Sequence, residues 1–214
     1  MEQMTLNIPV LALRGLTVFP DQTTGFDVER EISMLALNNA MEEGKDIFLV
    51  TQRELAVARP EESDLYAVGT VAHVLQIIKT SDSTVRVVVR GMSKGRIKRL
   101  WQTHPFLQAN VVLLEDDLPV RMTSRVEAVM RQTYLLFGEY RDMVPELSDE
   151  IVATVLDCDD PGKLADYIGY TINLRHMDRQ RILEEMHPVK RLKLVNEILT
   201  HELDVISLEV EMEK

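Results

Sequence analysis

The chain has 214 residues, 45% of them hydrophobic and 28% charged, with a formal net charge of −11. That length accommodates one large domain or two small ones, and the acidity argues against general nucleic-acid binding, which draws on a surplus of positive charge. A single cysteine, Cys158, excludes an internal disulfide and a cysteine-built zinc site, and no apolar run reaches the roughly 20 residues a membrane span needs.

The N-terminus, Met1-Glu-Gln-Met-Thr-Leu-Asn7, lacks the basic and apolar regions of a secretory signal, which predicts a cytoplasmic protein. The run Ile8-Pro-Val-Leu-Ala-Leu-Arg-Gly-Leu-Thr-Val-Phe-Pro20 predicts a buried strand at Val10–Leu13. It continues with an Arg-Gly break and a second short strand, Leu16–Phe19, stopped by Pro20. Glu31–Glu42 places Met34, Leu35, Leu37 and Met41 on a helical stripe, with Gly44 as the C′ residue. Lys45–Gln52 reads as another buried strand. Tyr66–Lys79 and Thr84–Val89 form a hairpin around the turn Thr80–Ser83, and Gln108–Leu114 is a further strand. Four or more strands with one helix suggest a small, partly closed barrel.

From Val126 onward the apolar period becomes 3.6, through Val129, Met130, Thr133, Leu136, Phe137 and Tyr140. Ser148 and Asp160-Pro161 read as starts of helices, Asp178 as the cap of a short one, and Pro188 as the opening of the longest. The change of period at Glu115–Pro119 predicts a β-rich part over 1–117 and a helical part over 118–214. The last helix carries two apolar stripes, one through Leu192, Val195, Leu199, Leu203, Ile206 and Val210 and the other through Leu194, Ile198, Val205, Leu208 and Met212. It meets no stop signal before Lys214, which suggests a segment of a longer protein.

Several ordered motifs carry a family resemblance. Ile8–Pro20 and Phe26-Asp-Val-Glu-Arg30 resemble the opening of the N-terminal substrate-recognition domain of the Lon ATP-dependent proteases. Val68-Gly-Thr-Val-Ala-His-Val-Leu-Gln-Ile-Ile78 and Val85-Arg-Val-Val-Val-Arg-Gly-Met-Ser-Lys-Gly-Arg-Ile97 resemble two of its strands. Asp160–Ile168, Gln180–Glu184, Arg191–Val195 and Glu202–Glu209 resemble its helical half. The turn Ser81-Asp82-Ser83, Asp21 and Arg90 depart from the family's usual residues. The resemblance implies an α+β fold: a PUA-like β-barrel subdomain with one helix, then an α-helical bundle ending in a long helix. It also implies a binding domain that takes up unfolded or damaged polypeptides through exposed apolar surface and passes them to an AAA+ ring. The parent protein would be a homohexameric ATP-dependent serine endopeptidase with a Ser-Lys dyad, using ATP and Mg. Two alternatives stay open, a structural module assembling through its last helix and a free-standing peptide-binding protein.

No chemistry of its own is evident in the chain. Gly44-Lys45 fails as a P-loop, because Asn39 stands at the first glycine position and Asp46 follows the lysine. Ser93 and Lys94 are adjacent on a predicted strand, so they point to opposite faces and cannot form a dyad. The five histidines lack metal-ligand spacing, so no metal, catalytic residue or cofactor site is expected. Recognition of unfolded chains needs exposed apolar surface or an open strand edge. The candidates are Val18, Phe19 and Pro20 after the first strand, Ile77 and Ile78 at the hairpin end, and Met92. Val18 and Phe19 could instead belong to the core. The basic run Arg86, Arg90, Lys94, Arg96, Lys98 and Arg99 offers polar contacts to an acidic peptide, or is a solvated hairpin face; with Trp101 and Phe106 as stacking rings it could touch nucleic acid.

Overall fold

The computed structural model describes residues 3–117 and 120–212; Leu118 and Pro119 of the predicted boundary lie outside the described residues. The chain divides into two compact units, Met1–Glu115 and Asp116–Lys214. The first contains strands β1 (Thr5–Leu13), β2 (Thr23–Val28), β3 (Asp46–Thr51), β4 (Val68–Lys79), β5 (Val85–Gln102) and β6 (Leu107–Leu114), with helix α1 (Glu31–Glu42). The second contains α2 (Ser124–Met143), α3 (Asp149–Asp157), α4 (Pro161–Thr171), α5 (His176–Glu184) and α6 (Pro188–Met212). This is the α+β architecture expected, a β-barrel with one helix followed by a helical bundle ending in a long helix.

The sheet runs β2-β5-β4-β3-β1-β6 and closes because β5 also pairs with β6. β1 and β3 are parallel and the other pairs antiparallel. Closure depends on the length of β5: its first half pairs with β2 and β4, and its second half turns across to β6 through register shifts at Lys98 and Trp101. Bulges of this kind supply the bend a small barrel requires.

The continuous apolar runs of β1 and β3 follow from burial on both faces. Val10, Ala12, Phe48 and Val50 fill the barrel interior with Leu107 and Val111, while Leu11, Leu13, Ile47 and Leu49 pack outward against Leu37 of α1 and Phe26 of β2. The interior is narrow: a Cβ at Gly95 would lie 2.5 Å from Val111 and 3.1 Å from Phe48.

Leu16–Phe19 is not the predicted second strand. It is a buried loop crossing the sheet, and its carbonyls are satisfied by distant side chains. Thr51 Oγ1 donates to Leu16 O and Thr70 Oγ1 to Val18 O, each at 2.6 Å. Such burial produces the same apolar composition as a strand. β2 was not expected, although Thr24, Phe26 and Val28 alternate inward along it.

In the helical unit α6 packs against α2 and α4 through Leu192, Val195, Leu199 and Leu203. Thr123, Ser148 and Asp160 cap α2, α3 and α4 through their side chains. Contrary to the prediction, Asp178 does not cap α5; Arg175 precedes that helix, and the buried Asp178 carboxylate accepts from Arg175 and Arg181, each at 3.2 Å. Arg191, fully buried, joins several elements of the unit. Its Nε donates to Glu185 O at 2.7 Å, and Nη1 donates to Asp116 Oδ2 at 3.2 Å and to Gly162 O and Asp166 Oδ2 at 3.4 Å. Nη2 bonds Asp116 Oδ1.

Candidate functional site

The β4–β5 hairpin outruns the barrel core, and this leaves large apolar side chains in water. Its turn is built by Ser81, whose hydroxyl accepts from the Ser83 and Thr84 N–H groups, while Thr80 N donates to Thr84 O. Val74 is the last fully buried residue of β4. Beyond it Leu75 is 52% exposed, Ile77 37% and Ile78 43%. Ile77 stands opposite Val87 and Ile78 opposite Arg86, so the adjacent isoleucines lie on opposite faces of the ribbon and both meet solvent.

Two irregularities add to the surface. Leu75 falls at the register shift between Val74 and Gln76, and Met92, 52% exposed, at the shift between Gly91 and Ser93. Both side chains lie on the outward side of the alternation, next to the buried Val74 and Gly91. Leu75 was missed in the sequence. The signal was available, since Val74 and Leu75 are adjacent apolar residues and cannot both face one core.

The first candidate segment is corrected. Phe19 is completely buried and Val18 nearly so, while Pro20 is half-buried. The loop is pinned by Asp21 N donating to Gly91 O and Gly91 N donating to Gln22 O, each at 2.9 Å. Val18 and Phe19 therefore belong to the core and offer no accessible contact surface.

The basic run also separates on folding. Lys94 is 95% buried (5% exposed), so it is no surface contact; it lies opposite Thr70 and Leu114 where β5 joins the barrel wall. Arg86 pairs with Asp27 at 3.1 Å. Arg90 is exposed opposite His73, whose Nδ1 is 2.8 Å from Asp46. Arg96, Lys98 and Arg99 are exposed on the second half of β5. Trp101 is tied by Nε1 to Asn7 Oδ1 at 2.8 Å, and Phe106 packs on the core, so the two rings do not form a stacking platform.

Cys158 is half-buried at the end of α3, and burial, with Asp160 and Asp159 nearby, pushes its thiol pKa up. That opposes the thiolate form a nucleophile needs. Among the described residues, no group of three or more His, Cys, Asp or Glu is placed to hold a metal ion, and no helix is long and apolar enough to cross a membrane.

Residues 7–201 match the family model described as the ATP-dependent protease La (LON) substrate-binding domain. The chain belongs to this Lon family. It is 38% identical over 205 residues to the Lon protease of Clostridioides difficile strain 630, covering 94% of this chain and 26% of that protein. The Lon protease of Brevibacillus choshinensis is 35% identical over 202 residues, again covering 94% of this chain and 26% of the relative. The chain thus spans about a quarter of the length of these Lon proteases, and corresponds to their N-terminal domain. Two solved structures share the fold. The N-terminal domain of Mycobacterium avium complex Lon protease superposes with a TM-score of 0.72 at 20% identity, covering 91% of this chain and 98% of that one. The Lon N-terminal domain protein from Xanthomonas campestris gives 0.62 at 15% identity, covering 88% and 95%.

Proposed function

We propose that this Lon substrate-binding domain captures unfolded or damaged polypeptides on its β4–β5 hairpin and passes them to an AAA+ ring of the parent protease. The observation that carries this reading is that Leu75, Ile77, Ile78 and Met92, all large and apolar, stand exposed to water along one β-hairpin. Exposed apolar side chains of this kind on both faces of a ribbon fit a partner that brings its own unburied apolar residues. Unfolded chains do so and native proteins do not. Arg90, Arg96, Lys98 and Arg99 sit on the same strand and supply polar contacts to acidic stretches of such a chain.

In this reading the β-rich part, residues 1–117, meets the substrate, and the helical part, 118–214, links it to the ATPase and Ser-Lys protease domains. The parent protein works in the cytoplasm as a homohexamer with ATP and Mg, and six weak sites gain avidity through effective concentration. The domain itself contributes binding and no chemical step. To test capture, the Ile78→Ser and Leu75→Ser variants are titrated with a reduced, carboxymethylated protein. Binding should weaken severalfold at unchanged melting temperature; unchanged affinity in both variants would sink the hairpin assignment.

A second reading, assembly through α6, is favoured by Leu208, Val210 and Met212, which are exposed at its end. Sedimentation of chains ending at Thr200 and at Lys214 distinguishes it: a change in mass alone, with substrate binding intact, supports assembly.

A further inference from the structure

Between the end of β1, the second half of β2 and the start of α1 lies a cavity of about 220 Å³. Leu16, Phe26 and Val28 give it apolar walls, and Arg14, Arg30 and Ser33 give it hydrogen-bond donors. The two arginines form no ion pair among the described residues. Arg30 is half-buried and held by neutral acceptors: Nη2 donates to Ala12 O and Nη1 to Gln52 Oε1, each at 2.6 Å. Arg14 uses one donor, on Val57 O at 3.1 Å. Burial, and then the charge of Arg14, push the Arg30 guanidinium pKa down, as expected where two cations sit together uncompensated. Of the carboxylates on the cavity wall, Asp27 is engaged by Arg86 and the exposed Glu29 pairs with neither guanidinium.

Two further observations concern α1. No side chain caps it, and both Ser33 N and Met34 N donate to Arg30 O, so the Glu31 and Ile32 amides head the helix uncapped. Ser33 also lines the cavity and brings a hydroxyl to its wall.

We propose that this cavity binds the C-terminal carboxylate of a polypeptide together with its last, apolar side chain. A guanidinium fork matches the two oxygens of a carboxylate, with the Ser33 hydroxyl and the head of α1 adding donors. Leu16, Phe26 and Val28 take the terminal side chain, and the volume suits one residue rather than a nucleotide or larger cofactor. Among the described residues β2 pairs with no strand but β5, and its residues Phe26 and Val28 run along the cavity. The penultimate residues of a bound chain can add to β2 by main-chain pairing. The site is separate from the hairpin and would confer selectivity for chain ends on whatever polypeptides the domain takes.

The test uses the 214-residue chain and a fluorescein-labelled peptide ending in leucine, as free acid and as amide. The acid should bind about tenfold or more tightly than the amide. Arg14→Gln should remove that difference by weakening the acid alone, and Arg14→Lys, which keeps charge without the fork, should retain part of it. N-acetyl-leucine should displace the acid peptide and N-acetyl-leucinamide should not. Equal affinity for acid and amide, or a preference that survives Arg14→Gln, overturns the assignment. So does tight binding of an amidated peptide with an internal aspartate, which would place an acidic side chain there instead. Ile78→Ser should leave the acid-to-amide ratio unchanged, so failure of the hairpin and failure of this cavity are read separately.

Discussion

Replacing Arg191 with methionine should markedly destabilise the helical unit. The guanidinium is fully buried and satisfies carboxylates of Asp116 and Asp166 and carbonyls of Gly162 and Glu185. Methionine fills much of the same volume, so the loss is chiefly electrostatic. It leaves the Asp116 carboxylate without its guanidinium partner and takes one donor each from Asp166 and from the Gly162 and Glu185 carbonyls. Removing one partner of a buried pair costs about 3–5 kcal/mol. The Asp116 and Asp166 side chains are 27% and 13% exposed, so water recovers part of the penalty and the lower end of that range, about 3 kcal/mol, applies. In a unit of this size that corresponds to a fall in melting temperature on the order of 12–20 °C. Far-UV circular dichroism, dominated by the helices of residues 116–214, follows the transition. Adding Asp116→Asn to Arg191→Met removes one stranded charge and should restore part of the loss. Arg191→Lys should fall between, since one ammonium cannot span the set of acceptors that the planar fork reaches. A melting temperature for Arg191→Met within 3 °C of the parent chain would refute the reasoning, as would a double variant less stable than the single one.

Other consequences are more local. Phe19→Ser should cost about 3–5 kcal/mol by opening a cavity under the loop, whereas Ile78→Ser should change stability by no more than about 0.5 kcal/mol in urea denaturation. Gly91→Ala should destabilise the first unit by about 1–3 kcal/mol, because the new Cβ would stand 2.0 Å from Phe19 O and force the loop off β5; Trp101 fluorescence reports that transition. Cys158, its thiol pKa raised by burial and neighbouring carboxylates, should react with iodoacetamide more slowly than a free cysteine at pH 8. The rate should climb as pH passes above the ordinary thiol range.

Much of the fold was legible because local pattern and tertiary fate agreed. The apolar runs of β1 and β3 could only be buried strands, and the cap residues Ser148 and Asp160 mark α3 and α4 where those helices start. The failures share a physical cause, which is that the deciding partners are remote. Leu16–Phe19 resembles a strand in composition, but the hydroxyls of Thr51 and Thr70, far along the chain, hold it as a loop. Asp178 has the chemistry of a cap, yet buried pairing with Arg175 and Arg181 decides its role. For the candidate surface, the adjacency of Ile77 and Ile78 was enough to expect one of them outward. Met92 was among the sequence candidates, and Leu75 could have been, because it follows the buried Val74 on the same strand. Lys94 looked like part of a basic face and proved to be buried, because β5 crosses there from the outer ribbon into the barrel wall. The cavity beside α1 needs Arg14, Phe26 and Ser33 brought together from three elements, and no local spacing announces that.

The central claim is that the exposed hairpin discriminates unfolded chains from folded ones. The most direct measurement is isothermal titration of the 214-residue chain with one protein in two forms, native and reduced-carboxymethylated. Saturable binding of the unfolded form alone, weakened severalfold by Leu75→Ser with Ile78→Ser, is the result the hairpin surface predicts. Equal binding of both forms, or negligible binding of either, would contradict it.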